Sequence, residues 1–364
     1  MWAICSTTCR ICSNKMVKRY LLPLVLAFCV AVSFCACVDD RQGVPNPAQQ
    51  PSDSAADSQN QSSASASSDQ SSTSGTAAVQ AEQSTAVEIA DTLPLGEILR
   101  GAPDATAASG LAPLSAVTYT VPDPDNRRGL STAKKEHSHG PASGGKAHFT
   151  VEQFQDGFDR FGALTLDRTS REKVLYLTFD CGWEYDNLTA RILDTLKEKQ
   201  VPAAFFCTRD HISRQPELIA RMIREGHIVG NHSDTHPSFP SISRTQMVKE
   251  IADTENYLRE HFGYCAKFFR FPAGEYSESA LDVVRQMGYR SVFWSVAYND
   301  WNVEQQQGAD KAKKTVLDRL HPGAVILLHA VSRDNAEALG AIIDAARAEG
   351  YAFVPLTHYR PPAA

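Results

Sequence analysis

The sequence predicts an α/β fold in which about seven parallel strands alternate with helices and curl into a barrel. Apolar runs recur at 174–180, 203–207, 227–232, 268–271, 291–297, 324–329 and 351–356. Segments of helical periodicity separate them. Three of these helices should stop at a glycine just before a strand, at Gly226, Gly288 and Gly350, because glycine adopts the left-handed conformation that ends a helix. That many strand–helix units suits a barrel better than an open sheet.

The elements follow in order. Val174 to Phe179 is β-branched, aliphatic and aromatic with no breaker, so it reads as a buried strand. Asp180 ends it, and Gly182 permits a sharp turn. After Asp186-Asn187 the next helix begins, with Leu188, Ile192 and Leu196 on one face. The second strand carries Cys207, read as a small packed hydrophobe. Pro216 opens a further helix, whose stripe is Leu218, Ile219, Met222 and Ile223. The later strands run into NHSDTHP (231–237), RFPAG (270–274), Asp300-Trp301 and His329.

The N-terminal third reads differently. Residues 1–37 carry a secretory pattern: Lys18-Arg19, an apolar centre from Leu21 to Ser33, and Ala36 before Cys37, with Met16 as an alternative start. Ala36-Cys37 also resembles a lipoprotein cleavage box. The apolar run is long enough to leave a retained membrane helix open. The expected location is therefore extracytoplasmic, with a membrane anchor through the leader or a lipid. Cys5, Cys9 and Cys12 have an iron–sulfur spacing, but they precede the secretory segment and no barrel strand leads into them, so a cluster is not expected. Residues 38–115 are rich in Ser, Ala and Gln and are expected to be a disordered linker. Residues 116–148 are ambiguous and partly loop; His137 and His139 read as members of a flexible polar stretch rather than metal ligands. The catalytic domain is placed at 149–360. Beyond Cys37 only Cys181, Cys207 and Cys265 remain, which is no disulfide framework. The net charge of −6 and the lack of a basic stripe exclude nucleic acid as a partner.

Titratable residues gather at the strand exits, where a parallel barrel places its chemistry. His232 and His236 lie four apart, so a helical turn would point both imidazoles toward one metal ion. Such a pair leaves coordination positions open for water and substrate.

The motifs TFDCGWE (178–184), RFPAGEYS (270–277), FWSVAYNDW (293–301) and LLHAVSRDNAEAL (327–339), with GALTLDRTSREK (162–173), resemble the polysaccharide deacetylase family, carbohydrate esterase family four. They are most similar to its peptidoglycan N-acetylmuramic acid deacetylase branch. The resemblance implies a distorted (β/α) barrel and metal-dependent removal of acetyl groups from the glycan strands of peptidoglycan, on a route to muramic δ-lactam in spore cortex. It implies Asp180 as general base, oriented by Arg270; His232 and His236 as ligands of a divalent metal, zinc being expected; and His329 as general acid, tuned by Asp300. Trp301 would shape the pocket, and the Ala273 backbone N–H would hold the oxyanion.

Departures from the family pattern keep alternatives open. Cys181 stands where most members carry a second aspartate ligand. It is either a thiolate ligand in a Cys–His–His zinc site or a small residue beside a shell completed by water and substrate; the second is preferred. Arg333 either meets the lactyl carboxylate of muramic acid or pairs with Glu337 at a helix start. The competing functions are an N-acetylglucosamine deacetylase and a non-catalytic carbohydrate-binding domain.

Overall fold

The computed structural model describes residues 109–170 and 172–361. The leader with its cysteines, and most of the expected linker, lie outside the described residues. Nine strands are described: β1 (Lys135–Glu136), β2 (Val174–Cys181), β3 (Ala204–Cys207), β4 (Ile228–Asn231), β5 (Phe268–Phe269), β6 (Glu275–Tyr276), β7 (Arg290–Ser291), β8 (Ala324–His329) and β9 (Ala352–Phe353). Eight helices accompany them: α1 (Phe149–Asp159), α2 (Leu188–Lys199), α3 (Arg209–Arg214), α4 (Pro216–Arg224), α5 (Arg244–Phe262), α6 (Glu278–Gln286), α7 (Ala309–Leu317) and α8 (Arg333–Ala348).

Seven strands form one parallel sheet in the order β7-β5-β4-β3-β2-β8, with β9 pairing the start of β2. The sheet curls because the chain beyond β7 returns to its other edge, where Val296 bridges Ile326 of β8. The expected run at 291–297 is therefore only partly a strand: of its residues only Ser291 pairs in β7, and Val292 and Val296 make isolated bridges. The run at 351–356 likewise shortens to Ala352–Phe353. A barrel closed by single bridges is distorted, as expected.

Strand alternation sorts side chains into two layers. Tyr176, Phe206, Phe268 and Val325 pack in the barrel interior. Leu177, Phe179, Cys181, Phe205 and Cys207 face outward into the layer beneath the helices. All eight residues of β2 are buried, so it reads apolar on both faces. Losing a ring from this layer, as in Phe179→Ala, costs about 3–5 kcal/mol. Inside the barrel a side chain on Gly230 would meet the Phe206 ring at 2.5 Å, so only glycine fits there.

Gly226, Gly288 and Gly350 have φ of 81°, 85° and 84°, as their positions predict. The helix after Asp186-Asn187 begins at Leu188, as expected. Asp186 and Asn187 are both left-handed, and Asn187 makes no cap hydrogen bond. The Glu184 carboxylate instead accepts from the Thr189 backbone N–H at 3.1 Å.

The segment before α1 is also more engaged than expected. Ser109 Oγ donates to Phe262 O at 2.5 Å and Leu114 N–H to Arg259 O at 2.8 Å, so residues 109–117 follow α5. β1 then pairs antiparallel with β6. His137 is buried and its Nε2 lies 2.7 Å from Trp294 O, while His139 Nε2 lies 2.7 Å from Ala297 O. Neither is part of a loose polar loop.

Candidate active site

The interior layer at the C-terminal end of the sheet is polar. Asp180 and His329 occupy facing register positions on β2 and β8. Arg270 follows β5, and His232 follows β4. Parity sends all four into the barrel mouth, because Thr178 and Tyr176 precede Asp180 on the same face. Asp180, His232 and His329 open on a cavity of about 910 Å³, with Arg270 buried behind them; its wall also includes His137, His139, His236, Ala273, Trp183 and Trp301. That volume suits a sugar chain rather than a single small ion.

Arg270 is fully buried. Its Nη1 donates to Asp180 Oδ1 at 2.7 Å and its Nη2 to Thr178 Oγ1 at 2.9 Å. Nε donates to Val292 O at 3.0 Å, and the guanidinium lies 4.1 Å over the Phe206 ring. Every face of the cation is therefore engaged, which is what a buried charge requires. Burial alone would raise the Asp180 carboxyl; the Arg270 charge, aided by His232 and His329, outweighs it and holds the group below its ordinary value.

His232 Nδ1–H donates to Arg270 O at 2.8 Å, which fixes the tautomer and leaves Nε2 with a free lone pair. That Nε2 sits 3.7 Å from Asp180 Oδ2. Burial pushes the His232 imidazole down to about 4 and also lowers His236, so both rings are neutral at pH 7. The ring centroids are 4.9 Å apart. The pair is thus brought together, but by a different device from the expected helical turn. Residues 232–237 form a loop in which Ser233 and His236 are left-handed, with φ of 72° and 59°. The His236 backbone N–H is held by Ser233 Oγ at 3.0 Å.

On the other wall, His329 Nδ1–H donates to Asp300 Oδ1 at 2.7 Å, and its backbone N–H to Oδ2 at 2.8 Å. Asn335 Nδ2 also donates to Asp300 Oδ2, at 2.5 Å. Burial pulls the His329 imidazole down, but the Asp300 hydrogen bond and charge outweigh it and leave it above its ordinary value. Ala273 lines the cavity with a left-handed backbone, φ 54°. Trp183 and Trp301 are half-exposed there, which gives two aromatic faces at the mouth.

Two expected site residues stand apart. Cys181 is fully buried and follows Asp180 in β2, so it points the opposite way, into the layer beneath the helices beside Cys207. It cannot complete a site with His232 and His236 without inverting the strand. Arg333 opens α8 at the surface and pairs with Asp186 at 3.1 Å, not with Glu337, and it is absent from the cavity wall. Trp183, His139 and Trp294 were missed as wall residues. Trp183 sits inside the TFDCGWE motif and Trp294 inside FWSVAYNDW, so both were legible there; His139 depends on how distant segments meet.

A polysaccharide deacetylase model matches residues 167–292, which span β2 to the chain beyond β7. Among curated relatives, an uncharacterized 30.6 kDa protein of Geobacillus stearothermophilus is 39% identical over 224 residues, covering 61% of this chain and 82% of its own. The peptidoglycan-N-acetylmuramic acid deacetylase PdaA of Bacillus subtilis is 38% identical over 221 residues, covering 60% and 81%. The solved structure of Bacillus subtilis PdaA, a family 4 carbohydrate esterase, superposes with a TM-score of 0.61 at 35% identity, over 63% of this chain and 98% of that one. With relatives this similar matched over most of their own length, the chain, whose barrel mouth carries the buried Asp180–Arg270 pair, belongs to the polysaccharide deacetylase family, hydrolases of sugar acetyl groups.

Proposed function

We propose that this protein removes the N-acetyl group from N-acetylmuramic acid in peptidoglycan, at the cavity between Asp180 and His329. The carrying observation is that two titratable groups face one cavity and are pushed in opposite directions. Arg270 holds Asp180 ionised, and Asp300 favours protonated His329. An ionised base beside a protonated acid is the pairing that amide hydrolysis needs.

Asp180 Oδ2 takes a proton from the attacking water. The carbonyl oxygen, now negative, meets the Ala273 backbone N–H. His329 Nε2–H then passes its proton to the departing nitrogen, and the Asp300 carboxylate steadies the imidazole throughout. Trp183 and Trp301 hold sugar rings at the mouth by their exposed faces.

Members of this family in general work with a divalent metal, and the residues fit one. His232 and His236 would hold it, because His232 presents a free Nε2 set by a backbone carbonyl, the usual support of a metal-bound imidazole. Zinc is proposed on the two neutral nitrogen donors. When bound it would polarise the amide carbonyl and acidify water. The export pattern at 1–37 supports a wall-facing location with a membrane anchor, and the muramic acid assignment supports a place upstream of δ-lactam closure.

A second reading, de-N-acetylation of N-acetylglucosamine, is favoured by one observation. Among the described residues the cavity wall includes no Arg or Lys to receive a lactyl carboxylate, since Arg333 lies outside it. Incubation of muropeptides with the protein, with chelator and then with added zinc, tests both. Zinc-restored acetate release with mass loss on muramic acid supports the first reading. Loss on glucosamine alone supports the second, and no release by the zinc-loaded protein refutes both.

A further inference from the structure

We propose that Cys181, Cys207 and His211 form a second, buried metal site, for a thiophilic divalent ion, in the layer behind the catalytic cavity.

The register of two adjacent parallel strands creates it. Cys181 and Cys207 are direct partners across β2 and β3, so both side chains emerge on the same outward face. α3 begins two residues beyond Cys207. Thr208 Oγ1 caps it by accepting from His211 N–H at 3.3 Å, which turns the chain back over the two sulfurs. The three donor atoms lie within 4.8 Å of one another, and all three residues are buried. The pair of imidazoles at the cavity is a separate set: it belongs to the interior layer, on the other face of the sheet.

His211 supplies an independent sign. It is 1% exposed, and among the described residues neither of its ring nitrogens has a hydrogen-bond partner. A buried polar group left unpaired costs about 1–3 kcal/mol, so a native core seldom keeps one without a use. Cys207 is little better served, its thiol reaching Phe205 O at 3.6 Å.

The donor set selects the ion. Two thiolates and one neutral imidazole are ligands of zinc-like cations, not of calcium or magnesium. Their two negative charges match a divalent ion and leave no net charge in the core. Binding forms two metal–sulfur bonds and one metal–nitrogen bond, and two thiol protons leave to solvent. No oxidation is involved. The ion would tie β2, β3 and α3 together directly behind Asp180, and beside Thr208 and Asp210 of the cavity wall.

The test uses the full chain with Cys5, Cys9, Cys12, Cys29, Cys35 and Cys37 changed to serine, reduced, without oxygen, and titrated with cobalt(II). The expected result is a sulfur-to-cobalt charge-transfer band that saturates at one ion per chain and is displaced by zinc. The band should be lost in Cys207→Ala and in Cys181→Ala, and retained in Cys265→Ala and His236→Ala. In His211→Phe the band should weaken or shift. Absence of a sulfur band in the parent chain overturns the proposal whatever the variants do, as does a band that survives Cys207→Ala. Recovery of a Cys181–Cys207 disulfide from a chain that takes up no cobalt when reduced also overturns it. Retention in His236→Ala separates this site from the one proposed for catalysis, so either can fail alone.

Discussion

Replacing Arg270 with methionine tests the buried pair at the base of the cavity. Methionine fills much of the aliphatic volume but carries no charge and no donor. Asp180 would then sit buried without its counterion, Val292 O would lose the Arg270 Nε donor, and Thr178 Oγ1 would keep only its bond to Ile326 O. Removing one member of a buried ion pair costs about 3–5 kcal/mol, because the remaining charge is left uncompensated. For a domain of this size that is a fall in Tm of about 6–20 °C. The pH dependence gives the sharper check. In the native chain the Asp180 carboxyl lies below its unfolded value, so its contribution is present above that value and is lost as pH falls through the folded one. In Arg270→Met burial is opposed only by the weaker pull of His232 and His329, and the carboxyl rises. The neutral form is then preferred in the folded chain, and stability declines as pH rises from about 4, the unfolded carboxyl value, toward the raised one. The penalty should therefore be larger at pH 7.5 than at pH 4.5. Urea unfolding with chelator present, at both pH values, measures it. A penalty below about 1 kcal/mol at pH 7.5, or an equal one at the two pH values, refutes the account of Arg270 as the charge that keeps Asp180 ionised.

Other consequences concern catalysis. Asp300→Asn removes the charge that raises His329, which must carry a proton to act as acid, so the alkaline limb of kcat/KM for acetate release should move to lower pH. A limb that stays in place would separate His329 from the acid role. His236→Ala should lower zinc-dependent acetate release by about 10²-fold or more, and chelator should then have no further effect. Trp301→Ala and Trp183→Ala should each raise KM for glycan strands by about 3–10-fold with kcat less affected, as expected of side chains that hold sugar rings away from the reacting bond.

The parallel α/β barrel was legible in the chain because its signals are local. An unbroken apolar run such as β2, a proline at the start of α4, and a glycine with positive φ before β4 each follow from the backbone preferences of a few neighbouring residues. The titratable residues at strand exits were legible for the same reason: a strand's end can be read without knowing its neighbours. What each side chain faces could not be read that way. Cys181 follows Asp180 in sequence, yet strand pleating turns it to the opposite layer, where its neighbours are Cys207, set by pairing with β3, and His211, carried back by α3. The His232–His236 pair depends on two left-handed residues in a loop, and Arg333 on an aspartate 147 positions away. His137 and His139 become cavity wall only because residues 109–146 lie along the domain and meet Trp294 and Ala297. Composition and periodicity specify which elements form, since they report free energies summed over adjacent residues. Register, parity and long-range docking specify which atoms meet, and those are properties of the assembled barrel alone.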